Sequence, residues 1–309
     1  MEETLYNYLR KRLSPHPLLR LGLGDDAAIL DATTFDSVVL TVDVITDQVD
    51  FLLDEVSPQE IGYKALAVNL SDIAAMAAEP VACLVGLVLP RDFPYESIQG
   101  MYEGMIPLAE RFGTAIAGGD TNTWAGPLAI SVTMVGRSTE RGPLRRGGGQ
   151  VGDHVFVTGT LGGSILGRHL DFTPRVDEAL KLHSRFPLHA GMDISDGLSL
   201  DLARLVRESG TGAELHLAKI PIAEDARKLS ALRNDGVTPL EHALSDGEDF
   251  ELLFTAPAEE SDEILAFAKE IGTPISEIGR ITEEPGLWGV DKDGCREELK
   301  PQGWTHRLE

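Results

Sequence analysis

The sequence GMDISDGLSLDLARL, residues 191–205, sets two carboxylates and a hydroxyl directly before leucines at helical spacing. Leucines spaced in this way predict an amphipathic helix. Because the first amide groups of a helix lack partners within it, we expect Ser195 or Asp196 to cap this helix. A helix start needs only one cap, so the second carboxylate, Asp193, indicates a further role.

The composition limits the classes of partner. At roughly 150 residues per domain, the length of 309 residues predicts two domains. The formal charge of −23, from 27 Lys and Arg against 50 Asp and Glu, disfavours nucleic acid and anionic membranes, which bind clustered positive charge. Two cysteines and a charged N-terminal sequence, MEETLYNYLRKRLSP, indicate a reducing compartment and no signal peptide. We therefore expect a cytoplasmic protein with small-molecule partners, no nucleic acid and no membrane.

Hydrophobic periodicity predicts a mixture of strands and helices. The predicted strands are 36–46, 81–90, 114–119, 127–137, 153–160, 213–217, 250–256 and 275–281. The predicted helices are 61–80, which we expect Pro80 to end, 95–113, 198–209, 223–233 and 258–271. Residues 139–152 are rich in glycine and charge and predict a linker between an N-terminal domain, 1–138, and a C-terminal α/β domain, 153–309.

Acidic residues recur in six short segments that are otherwise rich in small residues. These segments are GLGDDAAIL, TVDVITDQVDF, NLSDIAAM, AGGDTN, DISDG and SDGEDFEL. One such segment is usually a turn, but six together indicate a metal site. Because no cysteine or HxxxH pair accompanies them, we expect Mg²⁺ or Mn²⁺ rather than zinc. Divalent cations would also let so acidic a chain bind the phosphates of a nucleotide.

Three of these segments indicate how the carboxylates are held. Asn69 and Asp72, three residues apart, share one face of an alanine-rich helix, and the alanines predict that this face is closely packed rather than solvated. Asp43 interrupts an apolar strand, where a buried charge is costly unless it meets a cation. Asp120 follows the strand AIAGG, whose glycines allow a ligand to approach the backbone.

Common nucleotide-binding motifs are missing from the sequence. It contains no GxxxxGK[ST] loop, no GxGxxG after a first strand and no kinase HRD and DFG pair. The nearest glycine-rich segments are TLGGSILG, 160–167, and LRRGGGQ, 144–150, for which a flexible connection is a simpler interpretation than a phosphate loop. Arg145 and Arg146 in the second segment are rare cations in this chain and would suit a phosphate.

The order of the motifs is more informative than any one of them. The series GLGDDAAIL, TVDVIT, YKALAVNLSDIAAMAAEP, GGDT, VTGTLGGS, DISDGLSLDLARL and SDGEDFELLFT closely resembles the thiamine-monophosphate kinase family. That family shares a superfamily with aminoimidazole-ribonucleotide synthetase and selenophosphate synthetase. The resemblance covers the chain from about residue 20 to the GW sequence at 303–304.

The resemblance implies an α/β (α+β) fold with a two-domain, aminoimidazole-ribonucleotide-synthetase-like architecture. The N-terminal domain would bind nucleotide and metal and pair in a homodimer, and the C-terminal domain would complete the active site. The implied reaction is ATP-dependent phosphorylation of thiamine phosphate to thiamine diphosphate. We expect direct in-line transfer assisted by several Mg²⁺ ions, with ATP as co-substrate and room for a monovalent cation.

The same resemblance implies roles for particular positions. Catalytic roles fall on Asp43, Asp120, Asp193 and Asp196. Metal ligation falls on Asp26, Thr41, Val42 through its backbone, Asp43, Asp72, Asp120, Asp193 and Asp196. ATP contacts fall on Gly119, Asp120, Arg146 and Ser195. Substrate contacts fall on Asp50, Glu248 and Trp304.

One position departs from the family pattern. Where relatives usually carry GVHF, this chain has QVDF at 48–51, which places Asp50 at a position expected to touch the substrate. A carboxylate there could attract the cationic thiazolium ring or accept a hydrogen bond from the aminopyrimidine, but it would repel the substrate phosphate.

Two alternatives differ in class. A sister enzyme is the first: selenophosphate synthetase would need a reactive residue near the N-terminus, and no cysteine precedes Cys83, but aminoimidazole-ribonucleotide synthetase stays open. The second is a non-enzymatic acidic module that binds calcium. The sequence disfavours it because no DxDxDG loop with a glutamate at its twelfth position is present.

Overall fold

The computed structural model describes residues 2–22 and 27–305, without the side chains of Glu2 and Glu3. The chain divides into two compact units. Unit 1 comprises Met1–Ile73 and Ala78–Gly142, and unit 2 comprises Ala74–Ala77 and Pro143–Glu309. The division falls inside the predicted linker 139–152, and the roles assigned to the two domains stay a prediction.

Unit 1 is built around one sheet. Its elements, in chain order, are α1 (Glu2–Arg12), β1 (Leu19–Leu21), β2 (Ile29–Leu30), β3 (Val38–Thr46), α2 (Pro58–Ala75), β4 (Glu79–Pro90), α3 (Tyr95–Arg111), β5 (Ala115–Trp124) and β6 (Ala129–Arg137). Strands β1 and β2 form a short antiparallel pair. The larger sheet has the strand order β3-β6-β4-β5, in which β4 and β5 are parallel and the other neighbours antiparallel. Helix α3 joins the parallel strands, because such strands need a long crossover.

The sheet of unit 1 has a covered face and an open face. Side chains along a strand point alternately to opposite faces. On β3, Val39 and Ile45 are buried, whereas Val38, Leu40, Val42 and Val44 are exposed. Helix α2 lies on the covered face. The open face of β3 is therefore apolar although none of the described residues of unit 1 covers it.

Helix α2 ends earlier than the sequence indicates. The prediction that Pro80 ends it is wrong, because the helix stops at Ala75 and Pro80 already belongs to β4. Ala77 adopts a left-handed conformation with φ 46°. The amide of Ala78 then donates to the carbonyl of Ile73 at 3.1 Å, which satisfies one of the last helical carbonyls.

Unit 2 contains a larger sheet with helices. Its elements are β7 (His154–Thr158), α4 (Arg168–Asp171), α5 (Val176–Arg185), β8 (Ala190–Asp193), α6 (Leu198–Ser209), β9 (Gly212–His216), α7 (Glu224–Arg233), α8 (Pro239–Ser245), β10 (Leu252–Ala256), α9 (Ser261–Ile271), β11 (Ile275–Thr282), β12 (Gly286–Val290) and β13 (Arg296–Glu298). Within the described residues the strand order is β13-β12-β9-β11-β7-β10-β8. Among the named strands of this sheet in the described part of the chain, only β9 and β12 pair in parallel. The buried core includes Val155, Leu202, Leu253 and Ile278.

Sequence periodicity predicts several elements of unit 2 correctly but misses the ten-residue helix α5 as well as shorter elements. Helices α6, α7 and α9 and strands β7, β9, β10 and β11 lie where they are predicted. Strand β8 has four residues, too few for a period to be visible. Helix α8 has seven, but a capping box between Thr238 and Glu241 marks its start and is readable as TPLE.

Among residues 2–22 and 27–305, we find no helix whose length and apolar character would let it span a membrane.

Two glycines allow α2 and α3 to pack closely. An added Cβ at Gly62 would lie 1.9 Å from the carbonyl oxygen of Met101, and one at Gly104 would lie 1.9 Å from that of Gln59. These distances leave no room for a methyl group between the helix backbones. We therefore expect Gly104→Ala to destabilise unit 1 by about 1–3 kcal/mol, although alanine is the better helix former.

Urea denaturation followed by circular dichroism would measure this change. Glu96→Ala, at an exposed position of the same helix, is the control and should shift the free energy of unfolding by less than about 0.5 kcal/mol. A Gly104→Ala variant as stable as the unmodified protein would contradict the close packing.

Candidate functional site

Two carboxylates of unit 1 come together between β3 and α2. The hydroxyl of Thr41 donates a short hydrogen bond to Asp72, and the amide of Asp43 donates to the side-chain oxygen of Asn69 at 3.2 Å. Asn69 is fully buried. The prediction that Asn69 and Asp72 share a packed helix face is confirmed, and the face meets the strand that carries Asp43.

The surroundings of Asp43 oppose its ionisation. Burial, followed by the negative charges of Asp72 and Asp50, raises the pKa of the Asp43 carboxyl to about 7. Among the described residues, Asp43 forms no ion pair with a lysine or arginine. A bound divalent cation would remove this conflict, because it attracts both carboxylates. Carboxylate and hydroxyl oxygens are also the donors that Mg²⁺ prefers, so the residues present fit such an ion.

Asp50 is part of a turn that follows β3. Its carboxylate accepts hydrogen bonds from the amide of Thr46 at 2.7 Å and from the Thr46 hydroxyl at 3.4 Å. The carbonyl of Asp50 accepts from Nζ of Lys64 at 2.6 Å. Gln48, in the same turn, has a positive φ of 72°. The aspartate that departs from the family pattern therefore stabilises its own turn.

Gly119 and Asp120 lie on the opposite edge of the same sheet. An added Cβ at Gly119 would lie 1.9 Å from the carbonyl oxygen of Val85, so glycine is required where β5 approaches β4. Asp120 pairs with Gly86 on the open face and is exposed. Strands β3 and β5 are separated by β6 and β4, or roughly 14 Å at about 4.8 Å per strand. Asp43 and Asp120 of one chain therefore cannot share one ion.

Asp26, the first predicted metal ligand, lies outside the described residues. Among residues 2–22 and 27–305, no group of three or more Asp, Glu, His or Cys side chains is arranged to hold a metal ion. The Asp43 and Asp72 carboxylates lie close enough to repel each other, and the Thr41 hydroxyl donates to Asp72. Their role as metal ligands, like the rest of the ligand set, stays a prediction.

In unit 2, backbone hydrogen bonds extend the pairing of β8 with β10 into the site. The amide of Ile194 donates to the carbonyl of Glu251 at 2.8 Å, and the amide of Phe250 donates to the carbonyl of Ile194 at 2.8 Å. The amide of Glu248 then donates to the carbonyl of Ser195 at 2.7 Å. Glu248 and Phe250 have positive φ angles of 63° and 50°, a strained backbone that is typical of functional sites.

The predicted cap of α6 is wrong. Gly197, with φ 113°, occupies the N-cap position, and no side chain caps the helix. A Cβ added there would lie 2.9 Å from the carbonyl oxygen of Ser245. The amide of Asp196 instead donates to the carboxylate of Asp201 at 2.9 Å, and Arg204 donates to both carboxylates. Arg204 thus supplies positive charge at the predicted metal ligand Asp196.

Trp304 folds back onto the same segment. Its amide donates to the carbonyl of Asp196 at 2.9 Å, and its side chain is 54% exposed. A Cβ added at Gly247 would lie 3.7 Å from Cβ of Trp304 and 2.8 Å from the carbonyl oxygen of Ser195. Unit 2 therefore brings together four predicted site residues: Ser195, Asp196, Glu248 and Trp304. Asp193, a fifth, is the buried last residue of β8.

The glycine-rich segment 160–167 cannot cradle a phosphate as it stands. Its amide groups already donate to carboxylates: Gly162 to Asp249 at 3.0 and 2.8 Å, and Gly163 to Asp246 at 2.8 Å. Arg168 also donates to Asp249 at 2.7 Å. Because the buried Asp249 and the half-buried Asp246 hold this loop, it is also not the flexible connection that its composition indicates.

Lys64 and Arg204 contact the candidate site but are not among the residues predicted from the sequence. Lys64 is fully buried in α2, and its signal was a lone lysine within the apolar run IGYKALAVNL. Arg204 follows Asp201 by three positions, the spacing at which side chains meet on a helix. Both bind segments that carry predicted site residues.

The chain is similar to known proteins over nearly its whole length. Residues 24–138 match the family model "AIR synthase related protein, N-terminal domain", and residues 144–292 match "AIR synthase related protein, C-terminal domain". A thiamine-monophosphate kinase of Rhodopirellula baltica is 44% identical over 99% of this chain and 97% of its own length. That of Bacillus subtilis is 34% identical over 99% of both chains.

Solved structures agree with these relatives. A thiamine-monophosphate kinase from Stenotrophomonas maltophilia superposes with a TM-score of 0.81 at 34% identity, covering 93% of this chain and 95% of its own. AaThiL complexed with AMPPCP and TMP gives a TM-score of 0.77 at 29% identity, covering 99% and 96%. Escherichia coli HypE, a hydrogenase maturation protein, shares the fold at 21% identity, with a TM-score of 0.79 and coverage of 97% and 96%.

The raised pKa of Asp43 predicts a pH dependence of stability in metal-free protein. Between pH 3.8 and about 7, folded Asp43 keeps a proton that the unfolded chain loses. Folding is therefore not penalised by Asp43 at low pH, where the carboxyl is protonated in both states. As the pH rises through this range, the effect of Asp43 lowers the free energy of unfolding. Asp43→Asn removes this dependence, so the variant should be more stable than the unmodified protein at pH 8.

Urea denaturation at several pH values in EDTA would measure both proteins. The difference between their free energies of unfolding isolates Asp43 from the other titrating groups. A difference that does not change between pH 4 and pH 8 would contradict the shifted pKa.

Proposed function

The chain belongs to the thiamine-monophosphate kinase family of AIR synthase related proteins, and from this premise we propose that it phosphorylates thiamine phosphate with ATP to give thiamine diphosphate. The observation that carries this proposal is the near full-length identity to named kinases, together with a solved relative that holds AMPPCP and TMP. Because the relatives described above are named thiamine-monophosphate kinases, we favour this reaction over the sister reaction of aminoimidazole-ribonucleotide synthetase.

The proposed metal ligands follow from the carboxylates of both units. Asp43 and Asp72, with the Thr41 hydroxyl beside them, have the oxygen donors and the unbalanced charge that suit Mg²⁺. The proposal adds, from the resemblance, Asp26, the backbone of Val42, Asp120, Asp193 and Asp196. When bound, Mg²⁺ ions supply positive charge that offsets the phosphates of both substrates.

The nucleotide and substrate positions are assigned in the same way. We assign ATP contacts to Gly119, Asp120, Arg146 and Ser195, and substrate contacts to Asp50, Glu248 and Trp304. In unit 2 the support is geometric, because Ser195, Glu248 and Trp304 are joined through neighbouring backbone contacts. The exposed indole of Trp304 offers an aromatic face to a heterocyclic ring, and Glu248 offers a negative charge to a cationic one.

The reaction needs no general base from the protein. A phosphate oxygen of thiamine phosphate, already anionic near neutral pH, forms a bond to the γ-phosphorus of ATP, and the bond from that phosphorus to the β–γ bridging oxygen breaks. ADP leaves, and thiamine diphosphate remains. The residues bind and orient two polyanions in line, which is the main requirement of phosphoryl transfer.

We also propose that the protein is a homodimer formed through unit 1. On the open face of β3, Val38, Leu40, Val42 and Val44 are 50–67% exposed. Leu84 on β4 extends the same face and is 47% exposed. Exposed apolar side chains grouped in this way are typical of an interface. A second copy would bury it.

The activity is tested by incubating purified protein with ATP and Mg²⁺, with and without thiamine phosphate. We expect ADP and thiamine diphosphate in equal amounts, both dependent on substrate and metal. Asp120→Asn should lower kcat by about 100-fold or more without unfolding the protein, because Asp120 is exposed. The control is Asn122→Ala, two residues further along the same strand, which should keep near-normal turnover.

Chromatography would follow both products. ADP release without thiamine diphosphate would contradict the proposed acceptor. Asp120→Asn turnover equal to that of Asn122→Ala would remove Asp120 from the site.

The homodimer is tested by charge on the open face. Leu40→Glu places a carboxylate within the proposed apolar interface, where it would lose its hydration without a partner charge. We therefore expect a folded monomer at concentrations at which the unmodified protein is dimeric. Leu232→Glu, at a position in α7 that is 73% exposed, is the matched control and should leave the dimer intact. Sedimentation velocity would distinguish the species, and an unmodified protein that sediments as a monomer would contradict the homodimer.

A further inference from the structure

One hydroxyl group ties the segment LRRGGGQ, 144–150, to the C-terminal end of α6. Ser209, the last residue of α6, accepts hydrogen bonds from the amides of Gly148 at 3.2 Å and Gly149 at 3.0 Å. It donates to the carbonyl of Arg146 at 3.0 Å. A serine hydroxyl has one hydrogen to donate and two lone pairs to accept with, and this segment uses all three.

The segment is also closely packed on its neighbours. A Cβ added at Gly147 would lie 2.8 Å from the carbonyl oxygen of Glu208, and one at Gly148 would lie 2.2 Å from that of His189. These contacts explain the run of three glycines and show that the segment is an ordered part of unit 2. Its backbone is held here by the end of α6 and by the residue that precedes β8.

Arg146 itself combines a fixed backbone with an available side chain. The residue before it is fixed as well, because the carbonyl of Arg145 accepts from the amide of Gly191 at 3.0 Å. The Arg146 side chain is exposed and forms no ion pair with any residue that the structure describes. A fixed backbone lowers the entropy that is lost when the guanidinium binds an anion, because only the side chain still has to be ordered.

We infer that Ser209 is a positioning residue for ATP: it fixes the backbone at Arg146 and thereby directs the guanidinium towards the nucleotide. This inference rests on the proposed function, which assigns Arg146 to ATP. In this proposal both ends of α6 contribute to the nucleotide site. Ser195 and Asp196 precede its first turn, and Ser209 ends it, so one helix of 12 residues, about 18 Å long, sets the positions of both parts of the proposed nucleotide site.

The test combines kinetics with nucleotide binding. Ser209→Ala should raise the KM for ATP about threefold to tenfold, the size expected for lost hydrogen bonds, with kcat and the KM for thiamine phosphate within about twofold. Ser209→Thr keeps the hydroxyl and should restore the KM. In an Arg146→Ala background, Ser209→Ala should change the KM for ATP by less than about twofold, because its effect passes through Arg146.

Ser230→Ala is the matched control. Ser230 also lies near the end of a helix of unit 2 and donates to a backbone carbonyl, that of Val237 at 2.7 Å, so its loss reports general destabilisation. It should leave the KM for ATP unchanged. Equal effects of Ser209→Ala with and without Arg146, an unchanged KM, or failure of Ser209→Thr to restore it would overturn the inference.

The outcomes separate this inference from the proposed function. If the unmodified protein makes thiamine diphosphate but Arg146→Ala binds ATP normally, the activity stands and the role of Ser209 falls. If no thiamine diphosphate forms, calorimetric titration of ATP into the same four proteins, unmodified, each single variant and the double variant, still shows whether the two residues are coupled.

Discussion

Backbone hydrogen bonds between residues 194–195 and 248–251 determine the geometry of the site in unit 2. They continue the pairing of β8 with β10 past the last residue of β8, and they hold Glu248 and Phe250 at positive φ. The ring of Phe250 stacks on Phe172, with centroids 4.1 Å apart, which fixes the strained segment from the other side. Because the ladder is made of main-chain groups, it sets the relative positions of Ser195 and Glu248 whatever their side chains bind.

The two units manage negative charge in different ways. In unit 2, three carboxylates have arginine partners: the half-buried Asp196 with Arg204, and the buried Asp249 and Glu251 with Arg168 and Arg175. In unit 1, Asp43 lies beside Asp72 and Asp50, and its raised pKa follows from that grouping. Removing a charge from a buried ion pair leaves its partner uncompensated, whereas a crowded carboxylate gains when a cation arrives. Asp43 of unit 1 is therefore a carboxylate that gains from a bound cation, whereas these three carboxylates of unit 2 already have a cationic partner.

The sequence predicts most of the long elements but few of the contacts that hold the candidate site residues in place. Helix α6 and strand β3 carry clear periods, and the buried face formed by Asn69 and Asp72 follows from poor helix formers among alanines. Strand β8 has too few residues to show a period. The cap at α6 is taken by Gly197 because tertiary contacts with Ser245 leave space only for glycine, a constraint that depends on residues about fifty positions away and that no local pattern shows.

Strand β3 has a consequence beyond the site. It is nine residues long, pairs with β6 on one edge, and in the described part of the chain pairs with no strand on the other. A long apolar edge strand is a template for other chains, and unit 1 carries neither proline nor lysine along it to prevent such pairing. If chains associate as we propose, an exposed edge beside the interface would give them a competing, disordered route through strand pairing. Rapid assembly would then protect the newly folded chain from aggregation.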